Sequence, residues 1–321
     1  MASITPKILA VAGLTLAVAL PSMAQNLNGT LNTGFYGKSL AVQTNSTGFG
    51  DAKPISGNVG IESGGSELDA LYGRLDKGAL NIFLSGNLES NGNRLDLFFD
   101  TGKGGQNKLA ANNANIDNLN SLAGLTLPSN FNAGFFVSLN GSAAAATPND
   151  DTTYRLSGNY ATLPAAGGGV GYSLGMAKAA TNALPTLGAN DQNPNNIQFT
   201  INNSNSGGVT DTAASATAAA AVLTGVELRI PYAALGGVPL SGVKVFAFIA
   251  GGDQTYLSNQ SLGGLPFGTG NLGAGGGPGT VNFTTLGATS ATVIPESGSA
   301  VLALLPFAGL AIVALRRRDA K

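Results

Sequence analysis

Asp96 and Asp100 stand four residues apart in Arg94-Leu95-Asp96-Leu97-Phe98-Phe99-Asp100. With a side-chain period of two, both carboxylates fall on one face of an extended strand. Paired carboxylates can serve a glycosidase as acid and nucleophile or base. With backbone carbonyls they can also ligate Ca²⁺. An Asp at a strand end beside a glycine-containing loop, here Gly102 to Gly105, is also an ordinary turn former. Asp253 in Gly251-Gly252-Asp253-Gln254 carries the same alternatives. Tyr256 and the nearby Ser258-Asn259-Gln260 offer an aromatic face and carboxamides, a combination that suits a sugar. Asn259 could equally close a turn on itself. Tyr72, Tyr154, Tyr160, Tyr172 and Tyr232 could each stack on a sugar ring or simply pack.

The rest of the composition narrows the chemistry. The chain has no His and no Cys. That removes the Ser-His-Asp triad, the Cys nucleophile, disulfides and the usual zinc ligands. We therefore expect a non-enzymatic protein with no cofactor, Ca²⁺ being the one metal considered. Gly37-Lys38-Ser39 resembles the end of a phosphate-binding loop, but Asn32 stands where the first glycine of that motif belongs. Setting aside the basic residues Lys7, Arg316, Arg317, Arg318 and Lys321 and the acids Glu296 and Asp319 leaves 11 basic and 15 acidic residues, near −4. No basic patch is present to neutralise phosphates, so nucleic acid is not an expected partner.

Strands must position these residues. Leu80, Ile82 and Leu84 alternate with Asn81, Phe83 and Ser85, and Leu95, Leu97 and Phe99 with the aspartates. Phe135–Leu139, Val226–Ile230 and Val243–Ile249 alternate in the same way. Several segments are apolar on both faces, which predicts strands covered on both sides. Weaker strands are expected at Leu68–Asp76, Thr152–Tyr160, Gly169–Met176, Asn196–Asn202 and Val281–Leu286. Asn91-Gly92 reads as a two-residue hairpin turn pairing Ala79–Leu88 with Arg94–Asp100. A short helix is allowed at Asn112–Leu127, and one helical turn at Tyr232–Leu235. Gly207–Ala221 and Gly268–Gly279 read as long loops that add little to the core. About ten strands predict an all-β fold, a single antiparallel β-sandwich with a jelly-roll-like layout, over residues 25–293.

Both ends read as targeting segments. Lys7, an apolar run from Ile8 to Leu20, Pro21 and Ser22-Met23-Ala24 form a signal-peptide pattern over residues 1–24, with the cut before Gln25. At the other end Pro295-Glu296-Ser297 leads into the apolar run Ala300–Leu315 and then Arg316-Arg317-Arg318. A helix over that run would be about 24 Å long, short for a ~30 Å hydrocarbon core. The arginines would keep its end cytoplasmic. This three-part tail, residues 294–321, resembles the PEP-CTERM sorting signal, with Ser297 in place of the second proline. The N-terminal pattern predicts export through the secretory translocon, and the short apolar run with its arginines predicts transient inner-membrane anchoring. The resemblance implies processing by an exosortase-type enzyme near the Pro-Glu motif, in a Gram-negative bacterium that makes exopolysaccharide.

The body is similar, in scattered pieces, to sandwiches like the family 9 carbohydrate-binding modules. The pieces are Leu68–Asp76, Ala79–Leu88, Arg94–Asp100, Gly225-Val226-Glu227-Leu228-Arg229-Ile230-Pro231, Val243–Ile249 and Tyr256–Gln260. That similarity implies a glycan-binding fold and carries no catalytic residue. The expected protein is an exported component of the cell envelope or extracellular matrix with weak polysaccharide binding. The alternatives are a secreted carbohydrate-active enzyme or its binding module, and an outer-membrane β-barrel.

Overall fold

The computed structural model describes residues 25–54, 63–76, 78–143, 154–180, 182–239, 241–273 and 275–295. Ser22, Ala24, Glu296, Ser297, Arg316, Arg317, Arg318 and the apolar run 300–315 lie outside the described residues. In chain order the strands are β1 (Ala41–Val42), β2 (Lys53–Pro54), β3 (Ser63–Gly64), β4 (Glu67–Leu75), β5 (Ala79–Asn87), β6 (Asn91–Asp100) and β7 (Phe135–Ala143). They continue as β8 (Tyr154–Thr162), β9 (Gly171–Lys178), β10 (Gln198–Ile201), β11 (Gly225–Pro231), β12 (Val243–Ala250), β13 (Leu257–Leu262) and β14 (Ala291–Val293). Two short α-helical turns, α1 (Thr33–Tyr36) and α2 (Ala216–Ala220), lie among them.

The strands form two main antiparallel sheets. One runs β1-β4-β5-β11-β10; the other runs β13-β12-β6-β7-β8-β9, with β14 beside β13 along the same edge of β12. Neither closes on itself, which makes the fold a two-sheet sandwich and removes the β-barrel reading. Period-two alternation sends Leu71, Ile82, Leu84, Val226 and Leu228 from one sheet against Leu95, Leu97, Val137, Leu139 and Val245 from the other. At ~1.5–3 kcal/mol for each fully buried side chain, this aliphatic layer is the main source of cohesion.

The strands' second faces are covered too. Phe98, Phe136, Phe246 and Phe248 project from the outer face of the larger sheet. They meet Leu109, Leu119, Leu122, Leu125, Leu127, Phe131 and Phe283 from irregular chain. The outer face of the smaller sheet carries Ala70, Tyr72 and Phe83 under Phe35 and Tyr36.

Four expectations need correction. The segments around Asn91-Gly92 do not pair with each other: β5 lies between β4 and β11, and β6 between β12 and β7. The chain crosses between sheets there, and buried Leu88 pins the crossing. Its N–H donates to Asn203 Oδ1 at 2.9 Å, and its carbonyl accepts from Asn203 Nδ2 at 3.1 Å and from the Tyr154 hydroxyl. Asn91 caps its own turn by accepting from Asn93 N–H, and a register shift follows it. Over 112–127 the only helical structure is a 3₁₀ turn, Leu119–Leu122, because side chains of Asn113, Asn115 and Asn120 bond the local backbone instead. No strand forms over 281–286; Phe283 is buried in the second core and Asn282 makes only an isolated bridge to Thr126. The stretch 207–221 does enter the core, through buried Val209 and Ala219.

Candidate functional site

Asp96 lies on the outer face of β6, wholly buried, opposite Ser138 of β7 and Phe248 of β12. Gln254 Nε2 donates to its Oδ1 at 3.3 Å. Beside it Asp117 accepts from Arg94 Nε at 2.8 Å and from the Ser138 hydroxyl at 2.7 Å. Burial, and then the nearby Asp117 charge, push the Asp96 carboxyl up to about 8. At neutral pH it is therefore mostly a carboxylic acid. That proton matters because Asp96 Oδ2 and Gln254 Oε1 are both buried without a partner in the heavy-atom geometry. One proton on Asp96 gives it a donor, with Ser138 Oγ as a nearby acceptor. Asp117 at φ 50° and Gln254 at φ 58° hold left-handed backbone to deliver their side chains. The cluster locks the 251–256 turn and the 114–118 loop onto the larger sheet, and its carboxyl is shut away from any substrate.

Asp100 does not join it. Four residues of strand separate the two by about 13 Å, beyond the ~5–9.5 Å of glycosidase carboxylate pairs. Asp100 instead accepts from Gly102 N–H at 2.8 Å and Asn132 N–H at 3.1 Å, and lies 3.6 Å from Lys244 Nζ. Asp253 is exposed and accepts from the Thr255 N–H and hydroxyl at 3.1 and 2.7 Å, bonds that hold its carboxyl below the usual range. Among the described residues no three acidic, His or Cys side chains are grouped to hold a metal ion. Asn259 spends its amide on Ser46 O and Thr269 O at 2.7 and 2.9 Å, while its Oδ1 accepts from Gly48 N–H at 3.2 Å. It ties residues 46–48 and 269–271 to the edge strand β13. Tyr256 is half-buried and stacks on Phe49 with centroids 5.6 Å apart.

Other tyrosines divide by access. Tyr72, Tyr154 and Tyr160 are buried. The Tyr160 hydroxyl donates to Ala234 O at 2.7 Å, and that of Tyr232 to Asp76 O. Tyr172 differs. It is half-buried like Tyr232 and Tyr256, but lies on β9, the edge strand of the larger sheet, stacked on Tyr160 at 6.3 Å and 10°. A cleft of about 410 Å³ opens beside it, lined by Ile116, Gly171, Tyr172, Ser173, Asn190 and Gln192. Local sequence builds this edge. Gly171 lets residues 114–116 close on the strand, since a Cβ there would meet Ala114 and Ile116 at 3.2 Å. A bulge at Leu174, with Gly175 at φ 88°, then resets the strand so that Leu174 and Ala177 both reach the core. Asp191 accepts from the Ser173 hydroxyl at 2.6 Å and from Gly188 N–H at 2.7 Å, which folds the 188–192 loop over the edge. Asn190 and Gln192 are exposed. An aromatic face, a small apolar wall and carboxamides make a surface suited to a neutral, hydroxyl-rich ligand.

The outer face of the smaller sheet holds carboxyls that the alternation pattern left unmarked. Glu67 and Asp69 on β4 lie against each other, both wholly buried; burial first, and for Glu67 its neighbour's charge next, raise both. Glu67 accepts from Ala52 N–H and Asn205 Nδ2 at 3.2 and 2.9 Å, and Asp69 from Val209 N–H at 2.9 Å. Glu227 on β11 is buried under residues 25–36. No family model, curated protein or solved structure matches this chain.

Proposed function

We propose that this chain is an exported, non-catalytic β-sandwich of the cell envelope or extracellular matrix that binds neutral polysaccharide in the cleft beside Tyr172. One observation carries the reading: Tyr172 offers a braced, accessible aromatic face between the exposed carboxamides of Asn190 and Gln192. The cleft's volume falls within the ~300–1,000 Å³ of small-ligand sites. The signal-peptide pattern over residues 1–24 supports export. Gln25 is already hydrogen-bonded to Glu227, and Pro295 already bridges to Leu75. The sandwich thus engages both the residue that follows the expected cut and the first residue of the sorting motif. The non-catalytic reading rests on the separation of Asp96 from Asp100 and on the seclusion of Asp96, Glu67, Asp69 and Glu227.

A glycan array probed with the chain from Gln25 onward tests the binding reading. We expect retention on neutral oligosaccharides and none on nucleic acid or polyphosphate controls. Retention on anionic ligands alone would overturn it. N-terminal sequencing of the envelope protein tests export, with Gln25 as the expected first residue.

A further inference from the structure

All four hydrogen bonds to Glu227 come from one short stretch of chain. Its Oε1 accepts from Gln25 Nε2 at 2.6 Å and from the Tyr36 hydroxyl at 3.0 Å. Its Oε2 accepts from the N–H groups of Asn28 and Gly29 at 2.9 and 3.1 Å. The carboxylate lies between Phe83 of β5 and Thr200 of β10, out of water. Burial raises its pKa, and the four donors oppose that rise. Among the described residues no lysine or arginine forms an ion pair with it. The charged and titratable groups around it are few. Tyr36 donates to it and is itself raised by burial and by the charges of Glu227 and Asp76. Arg229 is two residues along the same face of β11 and half-exposed. Arg74 of β4 is engaged with Phe35, donating to its carbonyl at 2.7 Å and lying 4.6 Å from its ring centroid. A buried carboxylate so well supplied with donors lacks only a countercharge.

We propose that Glu227 is the binding site for the α-ammonium of a chain that begins at Gln25. Removal of the leader then supplies the missing cation and fastens residues 25–36 over the smaller sheet. The inference rests on the cut before Gln25 in the reading above. The Gln25 side-chain nitrogen touches Glu227, so the backbone nitrogen of the same residue is at most one glutamine side chain and one hydrogen bond away. Attraction at this partly buried site is stronger than on the open surface. It lifts the amine above its ordinary ~7.7–8.0 and draws the carboxyl down.

The pairing also has a covalent consequence. A free N-terminal glutamine cyclises when its α-nitrogen attacks Cδ. The Cδ–Nε2 bond breaks, and ammonia leaves carrying a proton given up by the amine. A protonated α-amine has no lone pair for that attack. The Gln25 carboxamide is meanwhile held at both ends, Nε2 by Glu227 and Oε1 by Asn32 Nδ2 at 3.2 Å. Glu227 therefore keeps Gln25 in its open form.

The test uses the chain from Gln25 to Lys321, the same chain preceded by Met23-Ala24, and Glu227→Gln in the first. Amine-selective acylation at pH 7 is read at residue 25 by peptide mass spectrometry. Acylation in the native chain should be about tenfold slower than in Glu227→Gln, one pKa unit of protection. Ammonia loss from Gln25 should be faster in the variant. The chain starting at Gln25 should melt roughly 2–4 °C above the extended one, a comparison that stands even if Glu227→Gln does not fold. Equal acylation rates in native and Glu227→Gln chains, or equal melting of the two starts, would overturn the proposal. An envelope protein that starts elsewhere would overturn the cut itself and leave the pairing result to be judged on its own.

Discussion

The two outer faces of the sandwich meet the same problem with opposite chemistry. Both sheets are buried on both sides. The larger sheet covers its outer face with phenylalanines under irregular chain: Phe246 packs on Phe131, Phe248 and Phe283, with the Phe283 ring 4.8 Å away. The smaller sheet buries Glu67, Asp69 and Glu227 under residues 25–36, Ala52 and the segment beyond β10, whose backbone N–H groups and amides donate to them. Apolar burial needs no proton and no partner charge. Carboxyl burial makes stability a function of pH and of the chain start. The contrast teaches that β-strand coverage can be a packing device on one side and a chemical one on the other.

Breaking the apolar side should cost most. Phe246→Ala is expected to destabilise by about 3–5 kcal/mol, a fall of roughly 6–20 °C in melting temperature. Calorimetry should find the same loss at pH 5 and at pH 8, because no charge is involved.

The polar side should respond to pH instead. Carboxyls whose folded pKa exceeds the unfolded value stabilise fully below that unfolded value, about 4. Their contribution is lost as pH rises toward the folded value. Glu67, Asp69 and Asp96 are all raised. With no histidine to compensate, the urea midpoint should fall steadily from pH 5 to pH 9. Glu67→Gln should flatten that slope; a midpoint that rises with pH would contradict the assignment.

Asp96 sharpens the comparison, because it is the one raised acid on the phenylalanine side. Asp96→Asn keeps a donor and should remove the part of the pH-dependent loss that Asp96 contributes between about pH 4 and pH 8. Asp96→Ala leaves Gln254 unpaired and should cost about 1–3 kcal/mol. The smallest effect is expected at the exposed turn: Asp253→Ala should stay within about 0.5 kcal/mol.

Much of the sandwich was legible because period two marks which residues share a face. β5, β6, β11 and β12 follow directly from it. What period two does not mark is the cover on a face. Glu227 alternates with Val226 and Leu228 just as a solvated residue would, and nothing nearby in sequence announces residues 25–36 above it. The second core was open to inference from Phe98, Phe246 and Phe248, but its other half, residues 105–133 and 263–290, has no period to read. Asn91-Gly92 misled because turn chemistry is local, while the choice of sheet was set by Leu88 and Asn203 across the fold. Tyr172 was one of several equivalent tyrosines in the sequence. Only its edge position and the 188–192 loop distinguish it.

Titration calorimetry of a neutral oligosaccharide selected on the array, into the chain from Gln25 onward and its Tyr172→Ala and Tyr256→Ala variants, tests the binding claim most directly. The cleft beside Tyr172 predicts at least a tenfold weaker affinity, about 1.4 kcal/mol, in Tyr172→Ala, with Tyr256→Ala binding as the parent does. Undiminished binding in Tyr172→Ala, or equal loss in both variants, would contradict it.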